Sequence, residues 1–209
     1  MKRNSLYIHY GCGLHAPETW ENFDASPTLI FEKIPLIGRL YTKNSRPFPK
    51  NVKRGCIVKG LPIEENTANA IYCSHVLEHL SHNDCQKALK NTYKYLKKGG
   101  LFRLVVPDLK AAIDEYSKNT DESAALRFMQ TTLLGLQDRP RGLLGLIKNH
   151  FGNSQHLWMW DKKSLRAALQ TAGFQKVRIA EIGDSEEKKF KEVENPERFK
   201  QAICMEMTK

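Results

Sequence analysis

The sequence lacks long hydrophobic runs. None of its apolar stretches approaches the roughly 18 to 20 residues that a membrane-spanning helix needs, and one of the longest, Leu101–Val106, has only the length of a strand. The basic residues at the N-terminus are not followed by the apolar segment or cleavage site of a signal peptide. We therefore expect no membrane span and predict a cytoplasmic protein.

Cysteine is present but not in pairs that suggest a function. The five cysteines are an odd number and none forms a C-x-x-C pair, so neither a disulfide framework nor a zinc site is indicated. We expect reduced thiols, as is usual in a cytoplasmic protein. The sequence gives no other reason to expect a metal.

Acidic residues are too few to balance the basic ones. Lysine and arginine number 33 against 23 aspartates and glutamates, which gives a net charge of +10. Such a charge favours anionic partners, although it can equally serve solubility alone. There is no arginine-rich arm and no interleaving of basic and aromatic residues of the RNA-binding kind. A nucleic-acid partner is therefore less favoured than an anionic small molecule or glycan.

The length and pattern of the chain predict one α/β domain. Its 209 residues are 41% hydrophobic and 27% charged, which fits a globular domain. Because predicted strands alternate with predicted helices, we expect a mainly parallel sheet with helices on both faces. The strands are predicted at 6–10, 20–24, 55–58, 68–74, 101–106, 175–182 and 201–207. The helices are predicted at 28–41, 83–96, 109–118 and 162–172, with a helical insertion at about 121–152.

Several residues predict where these helices begin and end. Lys97 and Lys98, followed by two glycines, are typical of a helix C-terminus. Asp108 is placed to cap the helix at 109–118, and Asp161 the helix at 162–172. Gly173 would close the latter helix.

A glycine turn follows the first predicted strand directly. Gly11 and Gly13 would let a ligand approach the backbone closely, and Asp24, at the end of the next strand, could accept both hydroxyls of a ribose. The spacing of 13 residues is shorter than the roughly 20 of a dinucleotide fingerprint, and no third glycine follows. The pattern therefore favours a ligand with a nucleoside but no pyrophosphate.

An ordered set of motifs resembles a known family over roughly residues 6–182. The segment 74–80, SHVLEHL, resembles one found in class I S-adenosylmethionine (SAM)-dependent methyltransferases of the predicted type 11-like group. The surrounding motifs recur there in the same order: 11–13 (GCG), 22–24 (NFD), 60–62 (GLP), 96–100 (LKKGG), 105–109 (VVPDL) and 156–161 (HLWMWD). The resemblance implies a Rossmann-like sheet of seven strands with the last strand antiparallel, and SAM as cofactor.

The resemblance also implies roles for individual residues. It assigns the methionine part of the cofactor to the turn Gly11-Cys12-Gly13, the ribose to Asp24, the adenine to Ile57 and Leu61, and the sulfonium and acceptor to Ser74 and His75. Two positions depart from the pattern of many class I methyltransferases: His9 and Cys56 stand where acidic residues are common.

Histidine and aspartate supply the candidates for catalysis. Methyl transfer mainly requires alignment of the two partners, but an oxygen acceptor must also lose a proton. His75, His156 and Asp108 are our candidate catalytic residues. His79 and Glu78 are interpreted as mainly structural, and a metal site formed by the histidines is not expected.

The sequence thus predicts SAM-dependent methyl transfer to a small-molecule or glycan acceptor, which we expect to be anionic. One alternative stays open: a protein that keeps the methyltransferase fold without catalysis and binds a nucleoside, a nucleic acid or a partner protein. A homo-oligomer is compatible with either reading.

Overall fold

The computed structural model describes residues 5–32, 46–135 and 155–209. Seven strands form one sheet with the order β3-β2-β1-β4-β5-β7-β6. β7 runs antiparallel to both of its neighbours, β5 and β6, whereas the other neighbouring strands run parallel to one another, which confirms the predicted fold class. The strands are β1 Leu6–Tyr10, β2 Glu21–Asp24, β3 Val52–Arg54, β4 Ala68–Ser74, β5 Leu96–Pro107, β6 Gln175–Ile179 and β7 Ala202–Thr208.

The helices confirm most of the predicted segments. They are α1 Pro27–Glu32, α2 His82–Tyr95, α3 Leu109–Lys118, α4 Ala124–Thr131 and α5 Lys162–Thr171, with 3-10 turns at Leu77–His79, Lys188–Glu192 and Pro196–Phe199. The rest of the helix predicted at 28–41 lies outside the described residues. So does the part of the predicted insertion from 136 to about 152. No helix in the described ranges is long and apolar enough to cross a membrane.

The predicted helix caps are observed. The Asp108 carboxylate accepts hydrogen bonds from the backbone N–H groups of Lys110 and Ala111 at the start of α3. Asp161 and Ser164 form a reciprocal capping box at the start of α5. Gly173 follows α5 with a φ of +106°, a conformation that favours glycine.

The third strand lies earlier than predicted. β3 is Val52–Arg54, and of the predicted 55–58 only Gly55 continues the pattern, by donating to the Asp24 carbonyl at 3.0 Å. The chain then folds back, so that Cys56 pairs with Gly60, and the Asn91 side chain binds the Ile57 carbonyl. The prediction was wrong because these tertiary contacts bend an apolar segment into a loop.

The fifth strand begins earlier than predicted. β5 starts at Leu96, directly after α2, so the two glycines belong to the strand and do not cap the helix. Gly99 has a φ of +74°, and a Cβ on Gly100 would lie 3.0 Å from the Ala68 carbonyl oxygen. The Gly99 N–H donates to the Lys209 carbonyl, and the Gly100 carbonyl accepts from the Lys209 N–H, a partner that the local sequence does not reveal.

Alternating side chains of β1 reach the cores on the two faces of the sheet. Ile8 and Tyr10 belong to the main core. His9 packs on the opposite face, with its ring centroid 5.3 Å from that of Tyr72, next to Trp20. Burial lowers the pKa of His9 to about 3, assisted by the charge of His15. His9 is therefore a neutral core residue in this fold.

Candidate functional site

The candidate residues follow the carboxyl ends of neighbouring parallel strands. β1 leads into Gly11, β2 ends at Asp24 and β4 ends at Ser74. β1 lies between β2 and β4, with His9 in register with Asn22 on one side and Tyr72 on the other. Ligands of open α/β sheets bind at this edge.

The two glycines of the turn have different surroundings. A Cβ on Gly11 would lie 2.2 Å from Cγ2 of Val76, so the turn packs directly on the residue that follows His75. A Cβ on Gly13 would meet no atom within 4 Å. Both have positive φ, +65° for Gly11 and +53° for Gly13. The turn is thus anchored at Gly11 and leaves open space at Gly13.

Asp24 organises the open side of the turn. One carboxylate oxygen accepts from the Gly13 N–H at 2.9 Å and the other from the Ser26 N–H at 2.7 Å. Burial raises the pKa of Asp24, and these two hydrogen bonds act in the opposite direction. Each carboxylate oxygen accepts more than one hydrogen bond, so Asp24 retains acceptor capacity for sugar hydroxyls.

The backbone N–H and the thiol of Cys12 are both engaged within the protein. Its N–H donates to the Phe23 carbonyl at 3.2 Å, and its thiol lies in a small core with Leu29 and Val52. Burial raises the pKa of Cys12 to about 12. Cys12 therefore ties the turn to β2, and its contact with a cofactor stays a prediction.

The loop predicted to flank adenine is held against α2. Ile57 and Leu61 are 5% and 7% exposed and belong to the main core. The Tyr95 hydroxyl accepts from the Leu61 N–H and donates to the Leu61 carbonyl. These contacts fix the position of the loop, and its role beside adenine stays a prediction.

His75 has an unusual backbone conformation at the end of β4. Its φ is +55°, which costs roughly 1–3 kcal/mol for a residue other than glycine. Its N–H donates to the Val105 carbonyl at 2.9 Å, and its Nδ1 lies 3.1 Å from the Ser74 hydroxyl. Burial lowers the pKa of His75 to about 4, with smaller contributions from Arg198, His156 and His79. The ring is therefore neutral near pH 7.

Asp108 serves as a helix cap. Its carboxylate receives the amides at the start of α3, and its own N–H donates to the Gln201 carbonyl at 3.0 Å. The sequence also predicted Asp108 as the N-cap of this helix, and the structure confirms that role. A catalytic role for Asp108 stays a prediction.

Glu78 is a feature that the sequence did not single out as functional. Its side chain is completely buried, and neither carboxylate oxygen has a hydrogen-bond partner among the described residues. Burial raises the pKa of Glu78 to about 8. A buried carboxylate without partners is costly, so Glu78 calls for a physical explanation.

Two histidines lie next to this carboxylate. His79 Nε2 is 3.9 Å from Glu78 Oε1, and the ring centroids of His79 and His156 are 5.0 Å apart. One ligand atom from each of the three side chains lies within 4.8 Å of the others. From the sequence, only a metal site made of histidines was considered, and it was not expected. Glu78 and His156 are far apart in the sequence and come together only in the folded chain.

The segment after His156 places its two tryptophans differently. Trp160 is 2% exposed and belongs to the main core, whereas Trp158 is 43% exposed. The centroid of the Trp158 ring lies 4.6 Å from the centroid of the His82 ring, at the start of α2. Only Trp158 is therefore available to a ligand at the surface.

Comparisons with known proteins identify a family and support the fold. The family whose profile matches, described as a methyltransferase domain, covers residues 10–179. A search of curated proteins finds no match. Three of the solved structures that the chain resembles are 14–16% identical to it, and this level of identity supports the fold alone.

These three structures illustrate the similarity. A SAM-dependent methyltransferase from Thermotoga maritima, described as a possible histamine N-methyltransferase, has a TM-score of 0.53, 14% identity and coverage of 99% of this chain and 83% of its own. A SAM-dependent methyltransferase from Archaeoglobus fulgidus has a TM-score of 0.51 and 16% identity, and the match covers 99% of this chain and 87% of its own. The structure of PigF with SAH has a TM-score of 0.51 and 16% identity, and the match covers 98% of this chain and 50% of its own.

Proposed function

Because the chain belongs to the methyltransferase domain family, we propose that it transfers a methyl group from SAM to a small-molecule or glycan acceptor that carries negative charge. The observation that carries this proposal is the turn at the end of β1. There, Asp24 accepts the Gly13 N–H and open space adjoins Gly13. The five free cysteines suit a reducing compartment, so we place the activity in the cytoplasm.

The chain's own residues fit the cofactor. Asp24 retains acceptor capacity for ribose hydroxyls, and the space beside Gly13 suits the part of the cofactor that passes the turn. PigF, whose structure contains SAH, is similar in fold over 98% of this chain. When bound, SAM supplies a methyl group activated by its sulfonium for in-line displacement.

The residues after β4 are suited to orient an acceptor. Gly11 contacts Val76, so the turn lies beside His75. The neutral His75 ring can accept a hydrogen bond or a proton from an acceptor hydroxyl. Holding the two reactants together accounts for most of the catalysis that such a site must supply.

Arg198 favours an anionic acceptor. It is exposed and lies in the last 3-10 turn. Burial of the two histidines is the main cause that lowers the pKa values of His75 and His79, and the positive charge of Arg198 lowers both further. It therefore acts on the same region as the candidate acceptor site. The net charge of +10 adds to this attraction.

Calorimetric titration with SAM and S-adenosylhomocysteine tests the proposal. We expect micromolar binding by the native sequence and at least a tenfold loss of affinity in Asp24→Ala, because the ribose loses its acceptor. Glu21→Ala removes a half-buried carboxylate, paired with Lys53, from the other end of β2 and should change affinity less than twofold.

Thermal unfolding of both variants separates lost binding from lost folding. If a folded Asp24→Ala variant binds as well as the native sequence, the ribose assignment is wrong. If the native sequence binds neither compound, the proposal gives way to the non-catalytic reading. A nucleic-acid partner would then be recognised by binding that weakens steeply with salt.

A further inference from the structure

We propose that Glu78, His79 and His156 form a binding site for a divalent transition-metal ion of the Zn²⁺ type, next to the end of β4. The three side chains offer one carboxylate and two imidazoles whose ligand atoms lie within 4.8 Å of one another. A Zn–N distance of about 2.0–2.1 Å brings ligands closer than this, so binding requires shifts of about 1 Å. We call these three residues the 78/79/156 cluster.

The buried carboxylate is the strongest reason for a cation. Glu78 is completely buried, and neither of its oxygens has a hydrogen-bond partner among the described residues. Removing a carboxylate from water without a partner costs several kcal/mol or forces it to stay protonated. A bound divalent cation would satisfy both oxygens and offset that cost.

His79 is already oriented as a ligand. Its Nδ1 lies 2.9 Å from the Gln155 carbonyl oxygen, and a carbonyl can only accept, so Nδ1 carries the proton. Nε2 of the neutral ring therefore has a free lone pair, on the side where Glu78 Oε1 lies 3.9 Å away. Metal-binding histidines are commonly oriented in this way by a backbone carbonyl.

His156 completes the donor set. Its Nδ1 is buried and has no hydrogen-bond partner among the residues described. The N–H groups of Leu157 and Trp158 donate to the Glu78 carbonyl at 2.7 and 3.1 Å. These bonds hold the two chain segments together, so the cluster is largely formed before any ion binds.

The donor types select the class of metal. Two imidazoles and one carboxylate suit Zn²⁺ and other first-row transition ions. Mg²⁺ and Ca²⁺ prefer oxygen ligands, and within the cluster only the Glu78 carboxylate offers oxygen atoms. Three protein ligands leave coordination positions open for water or a substrate oxygen.

The site suggests a role, which rests on the proposed function. A hydroxyl bound to a divalent ion loses its proton near neutral pH, and this proton would pass through water to solvent. The acceptor oxygen then bonds to the methyl carbon while the carbon–sulfur bond breaks and its electron pair remains on sulfur. The products are the methyl ether and S-adenosylhomocysteine.

Metal binding is tested directly on untagged protein freed of metal by chelation. Titration with Zn²⁺ by calorimetry, and with Co²⁺ by visible absorption, should give one ion per chain. Glu78→Gln and His156→Ala should each weaken Zn²⁺ binding at least tenfold. His15→Ala removes an exposed imidazole outside the cluster and should change the affinity less than twofold.

Stability and cofactor binding distinguish the outcomes. Zn²⁺ should raise the melting temperature of the native sequence and of His15→Ala, but not of Glu78→Gln. His156 is only partly buried, so His156→Ala serves as the second variant if Glu78→Gln fails to fold. Absence of stoichiometric binding, equal binding by the cluster variants, or Mg²⁺ affinity matching that of Zn²⁺ would each overturn the assignment. S-adenosylhomocysteine affinity is measured in the same samples, so failure of the metal site is distinguished from failure of the proposed function.

Discussion

Gly11 and Gly13 have similar backbone conformations but different neighbours, and this difference predicts different effects of alanine. In Gly11→Ala the new Cβ would lie 2.2 Å from Val76 Cγ2, and the positive φ adds strain. We expect a loss of about 2–4 kcal/mol in the free energy of unfolding. In Gly13→Ala only the backbone strain applies, about 1–2 kcal/mol, but the methyl group enters the proposed cofactor space.

Urea unfolding and calorimetry with S-adenosylhomocysteine separate the two effects. Gly13→Ala should lower the affinity more than its modest instability explains. Val76→Ala in the Gly11→Ala background should recover part of the lost stability, because it removes the colliding methyl group. Equal losses of stability in the two alanine variants would contradict the difference in packing.

Single residues also show how far the site could be predicted. The turn and Asp24 were recognisable because glycines and an acidic residue follow consecutive strands, and parallel strands end at one edge. The 78/79/156 cluster was not recognisable, since its two parts are far apart in the chain and meet only through backbone bonds such as Leu157 N–H to the Glu78 carbonyl. The burial of Glu78 likewise depends on the complete fold.

At the level of elements, Arg103 links β5 to β7 and to the segment between β6 and β7. Its side chain is completely buried, with ion-pair distances of 2.6 Å to Glu194, 2.9 Å to Asp184 and 3.0 Å to Glu206. Arg103→Met leaves the buried Glu194 carboxylate without an ion-pair partner among the described residues, and leaves Asp184 and Glu206 with Arg178 alone. We expect a loss of about 3–5 kcal/mol in the free energy of unfolding.

Arg178→Met is the matched control for this prediction. The Arg178 side chain is 41% exposed and pairs with the same Asp184 and Glu206. Because the Arg178 side chain is partly exposed and Arg103 still pairs with both carboxylates, we expect a loss of about 1 kcal/mol or less. Urea unfolding at one pH and ionic strength measures both variants, and similar losses would show that burial of Arg103 is not what matters.

The elements differ in how much of them the sequence could predict. α3 and α5 were predicted well because their caps, Asp108 and Asp161, are local signals. β3 and the start of β5 were misplaced because their limits depend on distant partners: the Asn91 side chain for the loop after β3, and Lys209 for the glycines of β5. Local patterns fix which segments are ordered, whereas pairing across the sheet fixes where each strand begins.

On the scale of the whole molecule, the excess of positive charge and the position of Arg198 predict a preference for charged acceptors. A sugar phosphate should be methylated with a higher kcat/KM than the corresponding neutral sugar. The advantage should shrink between low and high salt, because screening weakens long-range attraction. Arg198→Ala should raise KM for the charged acceptor at least fivefold and change kcat little, since the guanidinium binds the acceptor in both the ground and transition states.

Lys200→Ala tests whether position or total charge is responsible. Lys200 is two residues from Arg198, is exposed and pairs with Glu197. Because lysine and arginine each carry one positive charge, Lys200→Ala changes the net charge by the same amount as Arg198→Ala. If the two variants raise KM equally, the effect belongs to the overall charge of the protein. If Arg198→Ala alone raises KM, the acceptor's anionic group binds beside the end of β4, close to His75. Equal methylation of charged and neutral sugars at low salt would contradict the predicted acceptor class.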